Sequence, residues 1–427
     1  MNNSCNRKHP KHRGVWAGVV LMALVGMQAS TPAQAEPPPA APAQQAVRAQ
    51  VGEPLRAAQK LAAERQFAAA RDKIRAASAV SGLSPYESFL IERVRAFVAA
   101  NSGDEKTLAT SLTAIVGSGF LAPADQLRMM RALAGTYYRE KQYGPAAQWA
   151  DRVLHDGGPD PAMQNVAIDA RYLRKEYGPA AQALRQLLAA DAAAGRTPSE
   201  AHLQLLLSCE DHLGDRAGAA DALDRLLTAY PKKAYWNLAL ARIENDPKFP
   251  DRLGLDLLRL RFALGLLTQE SDAMTMAQRD LQAGFPAEAQ KVVDAAVAGG
   301  VFGKGPAAAR ERRLEALVKK DLAEDRRDRA RDSVDAQNAH TGDALLNIGF
   351  NDVLNGNAAT GLARMERGLR QGGIAHPEDG RLHLAIAYWM AGDDAQALAA
   401  FRRVGGSDGA ADLARLWAAH VAHPQRG

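Results

Sequence analysis

The sequence is poor in the residues that stabilise disulfide-linked and sheet-based folds. It has two cysteines, and because Cys5 lies in the basic N-terminal segment, Cys209 has no intrachain disulfide partner in the rest of the chain. Aromatic residues make up 6% of the 427 residues, and no convincing stretch shows the period-two alternation of a strand. Disulfide scaffolds are therefore excluded, and the abundant alanine favours close-packed helices over sandwiches or barrels.

The body of the chain also lacks an excess of charge. The formal net charge is +5, but residues 1–35 contain Arg7, Lys8, Lys11 and Arg13 and no acidic residue. The remainder carries 49 basic residues, the 53 of the whole chain less these four, against 48 acidic ones. A nearly neutral body excludes a strongly cationic nucleic-acid binder.

The N-terminal segment has the layout of a secretory signal peptide. The four basic residues precede the apolar run Val15–Met27, and the A-x-A sequence Ala33–Ala35 follows it. At 13 residues the run is shorter than the roughly 20 that a membrane-spanning helix needs. We predict a signal peptide over 1–35, cleaved after Ala35, and a periplasmic protein. An uncleaved signal anchor is the alternative. Residues 36–52, rich in Pro, Ala and Gln, are predicted to be an extended linker.

The rest of the chain repeats at intervals of about 34 to 39 residues. The hexapeptide Tyr-Gly-Pro-Ala-Ala-Gln occurs at Tyr143–Gln148 and again at Tyr177–Gln182. Equivalent turn positions between helical stretches are Arg65, Gly103, Lys141, Lys175, Gly214, Gly284, Gly356 and Gly392. Two of the intervals are double the unit length, which predicts degenerate repeats near Lys248 and Phe249 and near Lys320.

The residues after each turn fit the packing of two helices. A small residue recurs five positions after the turn marker, where it lets the second helix approach the first closely. These small residues are Ala70, Ala146, Ala180, Ala219, Ala289, Gly361 and Ala397. A larger apolar residue follows about four positions later. Turn sequences such as Gly103-Asp104, Gly214-Asp215 and Gly392-Asp393 supply a helix stop and the N-cap of the next helix.

This pattern resembles the tetratricopeptide repeat. The best matches are residues 127–158, with Leu133, Ala134, Tyr137, Tyr143 and Ala146, and residues 378–405, with Tyr388, Gly392, Ala397 and Phe401. We therefore predict an all-α fold over residues 53–423. It is a right-handed α-solenoid of about ten tetratricopeptide-like helix pairs with a C-terminal capping helix at Asp408–His423.

Five further stretches resemble the periplasmic tetratricopeptide proteins encoded beside the TonB energy-transduction systems of proteobacteria. They are Ser84–Asp104, Gly195–Asp215, Tyr230–Ile243, Asp251–Leu260 and Ala277–Gly305. The resemblance implies an accessory role in TonB-dependent uptake across the outer membrane, with TonB-system components as protein partners.

The search for chemistry-bearing motifs gives no catalytic, cofactor or metal site. The histidines form no H-E-x-x-H or His/Cys cluster, and Gly299–Gly305 lacks the spacing of a phosphate-binding loop. Cys209 is predicted to be a buried, inert thiol, and the charged stretch Arg310–Asp332 a solvated helix face. The chain is thus predicted not to be an enzyme. A solenoid-based lytic transglycosylase needs a catalytic domain for which the repeats leave no room.

The first helices of such an array line a concave groove suited to a peptide or protein partner. The repeat register places seven contact residues on that wall: Arg131, Tyr138, Arg139, Asn165, Asp169, Tyr172 and Trp389. The alternative role of each is packing between neighbouring repeats. The leading hypothesis is a non-catalytic periplasmic adaptor of a TonB system. The alternative is a scaffold or assembly factor for envelope polysaccharide or cell-wall machinery.

Overall fold

A computed structural model describes residues 46–303, 306–338 and 340–423, and the predicted signal peptide lies outside these ranges. The described chain contains helices and turns and no strand. The helices are α1 (Ala49–Ala63), α2 (Phe67–Ser78), α3 (Pro85–Ser102), α4 (Glu105–Val116), α5 (Pro123–Arg139), α6 (Tyr143–Gly157), α7 (Pro161–Leu173), α8 (Tyr177–Ala193), α9 (Glu200–Leu213), α10 (Arg216–Ala229), α11 (Lys233–Glu244), α12 (Gly254–Ala263), α13 (Glu270–Gln282), α14 (Pro286–Ala298), α15 (Ala308–Asn338), α16 (Gly342–Leu354), α17 (Ala358–Gln371), α18 (Pro377–Met390), α19 (Asp394–Phe401) and α20 (Ala410–Ala422). A short 3-10 turn, Asp251–Leu253, precedes α12.

These helices form nine pairs in the described part of the chain, with α15 and α20 unpaired, so the all-α solenoid is confirmed. The degenerate repeat predicted near Lys248 and Phe249 is the pair α11–α12. The repeat predicted near Lys320 is wrong: that stretch is one helix of 31 residues. It contains no glycine or proline, so nothing in it interrupts the helix. The array also begins at Ala49, four residues before the predicted start at 53.

The turns within the pairs have the predicted chemistry. Arg65, Lys141 and Lys175 have φ of 59°, 59° and 64°, the left-handed conformation that glycine supplies at the equivalent turns of other pairs. At three turns the aspartate that follows the glycine is a helix N-cap. Its carboxylate accepts a backbone N–H three residues on, at 3.1 Å for Asp104 and 2.9 Å for Asp215. All the predicted small residues after the turns are buried.

The described chain divides into two units, residues 46–180 and residues 181–423. In unit 1, each second helix contacts the first helix of the next pair, and the first helices α1 and α3, and α5 and α7, also contact each other. The N-terminal end of unit 1 is held by Arg48, whose guanidinium donates to Glu87 at 2.9 and 2.7 Å. Hydrogen bonds from Arg48 and from the Ser84 backbone lower the pKa of buried Glu87 to about 2.

Unit 2 closes on itself. Its last helix, α20, packs on α18 and α19 as the predicted capping helix, and it also contacts α10, α11 and α12. The helix α15 lies against α13, α14 and α16, with Leu314, Val318 and Leu322 buried and Leu317 45% exposed. Within the described residues, no helix combines the length and the apolar character needed to cross a membrane.

The helices α16 and α17 approach each other closely. Two glycines seven residues apart on each helix face each other, Gly342 opposite Gly368 and Gly349 opposite Gly361. A Cβ added to Gly349 would lie 2.6 Å from the Gly361 carbonyl oxygen, which no side chain can tolerate without moving a backbone. The absence of side chains therefore sets the distance between these helices.

Substitution of Gly349 tests this contact. Gly349→Ala is expected to lower the free energy of unfolding by roughly 1–3 kcal/mol, because the methyl group meets backbone atoms that cannot move aside. Gly178→Ala is the matched control, since Gly178 is a helical glycine with no atom within 4 Å of an added Cβ. It should leave stability unchanged or slightly higher. Urea denaturation followed by circular dichroism measures both, and equal effects would contradict the packing argument.

Candidate functional site

Six of the seven predicted contact residues lie in unit 1, on the neighbouring first helices α5 and α7. Two of them form ion pairs that join one helix pair to another. Arg131 Nε lies 2.6 Å from Asp160 Oδ2, at the N-cap of α7, and Arg139 makes two bonds of 2.8 and 2.9 Å to Glu105, at the start of α4. The side chains of Arg131 and Arg139 remain 42% and 54% exposed. These arginines therefore link repeats and still present donors to solvent.

The tyrosines of this surface have the same arrangement in two successive repeats. Tyr138 stands edge-on to Tyr143, with 5.6 Å between ring centroids, and Tyr172 stands edge-on to Tyr177 at 5.5 Å. Each pair spans the left-handed turn between first and second helices. Edge-to-face packing of this kind holds the hairpin together and leaves each ring partly exposed.

The two first helices interact electrostatically across this surface. Burial raises the pKa of Tyr138 to about 12, and the charge of Asp169 on α7 adds to that rise. Asn165, one turn before Asp169, is exposed. The six residues lie on two adjoining helices and supply guanidinium, amide, carboxylate and phenol groups, and we call this set of residues the α5–α7 face.

The seventh predicted residue, Trp389, lies in unit 2. Its ring centroid is 5.0 Å from that of Trp417 and 5.6 Å from that of His420, both on α20. The Trp389 ring is only partly buried. In this setting its contacts are those of a helix-packing residue.

A second constellation, which the sequence analysis did not identify, is a buried ionic cluster in unit 2. The guanidinium of Arg259 on α12 donates to Asp256 Oδ1 at 2.8 Å and to Glu288 Oε2 at 2.9 and 2.7 Å. It also lies over two aromatic rings, 5.3 Å from the centroid of Phe285 and 4.7 Å from that of Phe350. Arg259 is 3% exposed. The cluster thus joins α12, α14 and α16 around one cation.

Asp280 on α13 belongs to the same cluster. It is fully buried, 3.9 Å from the guanidinium, and burial together with Glu288 raises its pKa far enough to keep it protonated near neutral pH. Burial opposes ionisation of Asp256, but His383 and Arg259 outweigh it and lower its pKa. His383 Nε2 on α18 lies 3.0 Å from Asp256 Oδ1. A proton on Asp280 thus reduces the negative charge that surrounds Arg259.

The sequence carried a weak signal for this cluster. Asp256 and Arg259 stand three residues apart inside the apolar stretch Gly254–Ala263, where charged residues require partners if the helix is buried. The partners Glu288 and His383 lie 29 and 127 residues away from the residues that they bond, so no local pattern identifies them.

Neither constellation has the side chains of a metal centre or an activated thiol. The described residues contain no group of three or more His, Cys, Asp or Glu side chains placed to hold a metal ion. Cys209 is fully buried, and burial raises the pKa of its thiol to about 11, so a thiolate nucleophile does not form near neutral pH. Of the two, the α5–α7 face is the one open to solvent, and it is the candidate binding site.

No protein-family profile and no curated protein matches the chain. Solved structures with some likeness include PilF of Pseudomonas aeruginosa, at 18% identity over 45% of this chain and 82% of that one, with a TM-score of 0.26. Another is the TPR2AB domain of yeast Sti1 in complex with pHSP90, at 12% identity, 70% and 95% coverage and a TM-score of 0.25. The TPR domain of P58(IPK) is 13% identical, over 88% of this chain and 98% of that one, with a TM-score of 0.22. At such low scores the fold assignment rests on the helix pairs of this chain.

The ionic cluster yields a stability prediction. Arg259→Ala is expected to destabilise unit 2 by roughly 3–5 kcal/mol, because it leaves buried carboxylates without their cation. Arg216→Ala, which removes an exposed arginine paired with Asp246, should cost less than about 1 kcal/mol. Urea denaturation followed by tryptophan fluorescence measures both, since Trp236, Trp389 and Trp417 lie in unit 2. Similar losses for the two variants would contradict the assigned role of Arg259.

Proposed function

We propose that this chain is a non-catalytic protein–protein interaction adaptor whose α5–α7 face binds an extended segment of a partner protein. The observation that carries the proposal is the contact between the neighbouring first helices α5 and α7. It brings partly exposed arginines and tyrosines from two repeats onto one surface. Arginine and tyrosine are enriched among residues that dominate binding energy, because each combines apolar area with directional donors.

The chemistry of the face defines the partner segment that suits it. Arg131 and Arg139 offer guanidinium donors beyond their present ion pairs, and Asp169 places a carboxylate near Tyr138. An extended peptide with acidic and apolar side chains matches the arginines and tyrosines of this face. The Arg139–Glu105 pair is exposed and therefore weak, so a partner carboxylate can replace Glu105 at small cost.

The proposed setting is the periplasm, with an accessory role in TonB-dependent uptake. The export part of this proposal is supported by the basic residues, the apolar run and the Ala33–Ala35 sequence of the N-terminal segment. The TonB part is supported by the resemblance of the five sequence stretches described above. A TonB-system component is accordingly the proposed partner, and an envelope-assembly enzyme is the alternative.

Export is tested by processing of the N-terminus. Expression of the full chain in a Gram-negative host should give a periplasmic protein whose first residue is Glu36, because the A-x-A sequence directs cleavage after Ala35. Cell fractionation and intact-mass measurement check this. Ala35→Arg, which blocks the small-residue position, should keep residues 1–35 attached. A cytoplasmic protein that begins at Met1 would contradict export.

Partner binding is tested by a negative charge placed on the face. Asn165→Glu is expected to weaken binding of the purified periplasmic domain of TonB at least about tenfold, since a carboxylate on this face repels the acidic side chains of a bound segment. Gln148→Glu is the matched control, because it makes the same change from amide to carboxylate at an exposed position on the second helix α6. Titration calorimetry with the purified chain measures both affinities.

The identity of the partner is tested separately by crosslinking in cells. Recovery of TonB, its motor proteins or a TonB-dependent receptor, lost in the Asn165→Glu variant and kept in Gln148→Glu, supports both levels of the proposal. Recovery of polysaccharide or cell-wall enzymes with the same dependence keeps the adaptor and replaces the TonB role. Equal recovery with both variants contradicts the α5–α7 face as the binding site.

A further inference from the structure

The C-terminal helix α20 packs against two separate parts of unit 2. On one side it covers α18 and α19, the last helix pair, and on the other it contacts α10, α11 and α12. The second set of contacts, between α20 and α10–α12, is called the α20 seam here. Leu413, Leu416 and Trp417 are buried between these surfaces, at 0–1% exposure. The helix α20 thus joins the last helix pair of unit 2 to α10–α12.

Ion pairs hold both ends of the α20 seam. Arg415 of α20 lies 2.5 Å from Asp224 of α10. Arg252, just before α12, bonds Asp379 of α18 at 2.8 Å and also pairs with Asp408, in the loop before α20. The Phe249 ring lies against Gly409, which begins α20 with φ of 103°. These contacts fix where α20 sits along α10–α12.

An imidazole lies at the centre of the α20 seam. His420 is 8% exposed, and its ring faces three indoles: Trp236 of α11 at 6.4 Å, Trp389 of α18 at 5.6 Å and Trp417 of α20 at 5.9 Å between centroids. Its Nδ1 atom has no hydrogen-bond partner among the described residues. An apolar aromatic setting of this kind favours the neutral ring.

Further polar atoms of the α20 seam are buried without a hydrogen bond. Within the described ranges, these are the indole Nε1 atoms of Trp236 and Trp417 and one carboxylate oxygen each of Asp224 and Asp408. Each such atom has given up hydration without a compensating bond. Opening of the seam restores that hydration, so the seam is less stable than its apolar area alone implies.

We propose that the α20 seam is a pH-dependent latch: protonation of His420 releases α20 from α10–α12 and exposes the Trp236 face of α11. The release is a local opening, in which α20 separates from the first part of unit 2. It requires no ligand and no chemical modification, because the proton itself changes the balance between closed and open forms.

The sign of the pH effect follows from the surroundings of His420. Burial lowers its pKa, and Asp394 of α19, which favours the imidazolium, only partly offsets burial. The other charged groups of the seam are engaged with each other, Arg415 with Asp224 and Arg252 with Asp379 and Asp408. A histidine whose pKa is lowered in the closed form binds protons more tightly once exposed. The closed form is therefore favoured above the ordinary histidine pKa and loses stability as the pH falls below it.

Hydrogen exchange of the whole chain tests the latch. Protection of the α11 and α20 amides, corrected for intrinsic exchange, is expected to fall between about pH 8 and pH 5 by up to about tenfold per pH unit, the limit for one proton. The amides of α5 and α6 in unit 1 serve as the internal reference and should keep their protection. Unchanged protection of α20 across this range overturns the proposal.

Variants separate the role of His420 from general acid sensitivity. His420→Phe keeps an aromatic ring and removes the titration, so its α20 protection should not depend on pH. His420→Gln serves the same purpose if the phenylalanine does not fold. His155→Gln removes a histidine with an 87% exposed side chain in unit 1 and should retain the wild-type response. A response that survives in the His420 variants overturns the proposal.

A further variant is expected to enlarge the pH response. Asp394→Asn removes the carboxylate that favours protonation of the closed form, so the loss of α20 protection should continue to lower pH and become larger than in the wild type. Above the histidine range the two proteins should have equal α20 protection. A smaller loss of protection at low pH contradicts the assigned role of His420.

Discussion

The architecture of unit 2 depends on one buried cation. Arg259 is closed off from water, so its five donors and its charge must be satisfied by protein groups. Asp256 and Glu288 accept hydrogen bonds from all three guanidinium nitrogens, and the ring centroids of Phe285 and Phe350 lie within 5.3 Å of the guanidinium carbon. Because these groups come from α12, α14 and α16, the helices can pack in only one register around the cation. Burial of the Arg259 charge would cost free energy without these partners. The need for the partners therefore specifies how the helices of unit 2 are arranged.

Unit 1 is held together by different means. Several of its ion pairs, such as Arg139 with Glu105, are exposed and individually weak, and its cohesion comes from small and apolar residues between helices, such as Ala146 and Leu133. Charged groups in water exchange partners at little cost in free energy. The buried carboxylates around Arg259 cannot exchange partners in this way, because no water replaces the bonds that they would lose. The same composition of arginines and carboxylates therefore gives unit 1 an adaptable surface and unit 2 a fixed interior.

The regular part of this fold was predictable because its determinants are local. A left-handed turn at Lys141 or Gly214 and a small residue five positions later specify a helix pair without reference to the rest of the chain. The α5–α7 face followed from that register. The ionic cluster and the α20 seam were not predictable, since they join residues such as Asp256 and His383 that lie 127 positions apart. The glycine pairs of α16–α17 were not predicted for a related reason. The sequence shows glycines seven residues apart, but it does not show which helix packs against them.

The two intervals of double length are also where unit 2 departs from a regular stack. The pair α11–α12 replaces the left-handed turn by a longer connection with a 3-10 turn, and α15 replaces a helix pair by one unbroken helix. A regular array of identical pairs advances steadily, and its last helix meets only the pair before it. Here the irregular units allow the chain to return, so that α20 reaches α10–α12. Phe249 and Arg252, in the connection between α11 and α12, contact Gly409 and Asp408 at the start of α20. The segment that lacks the repeat sequence therefore contributes contacts that hold α20 against α10–α12.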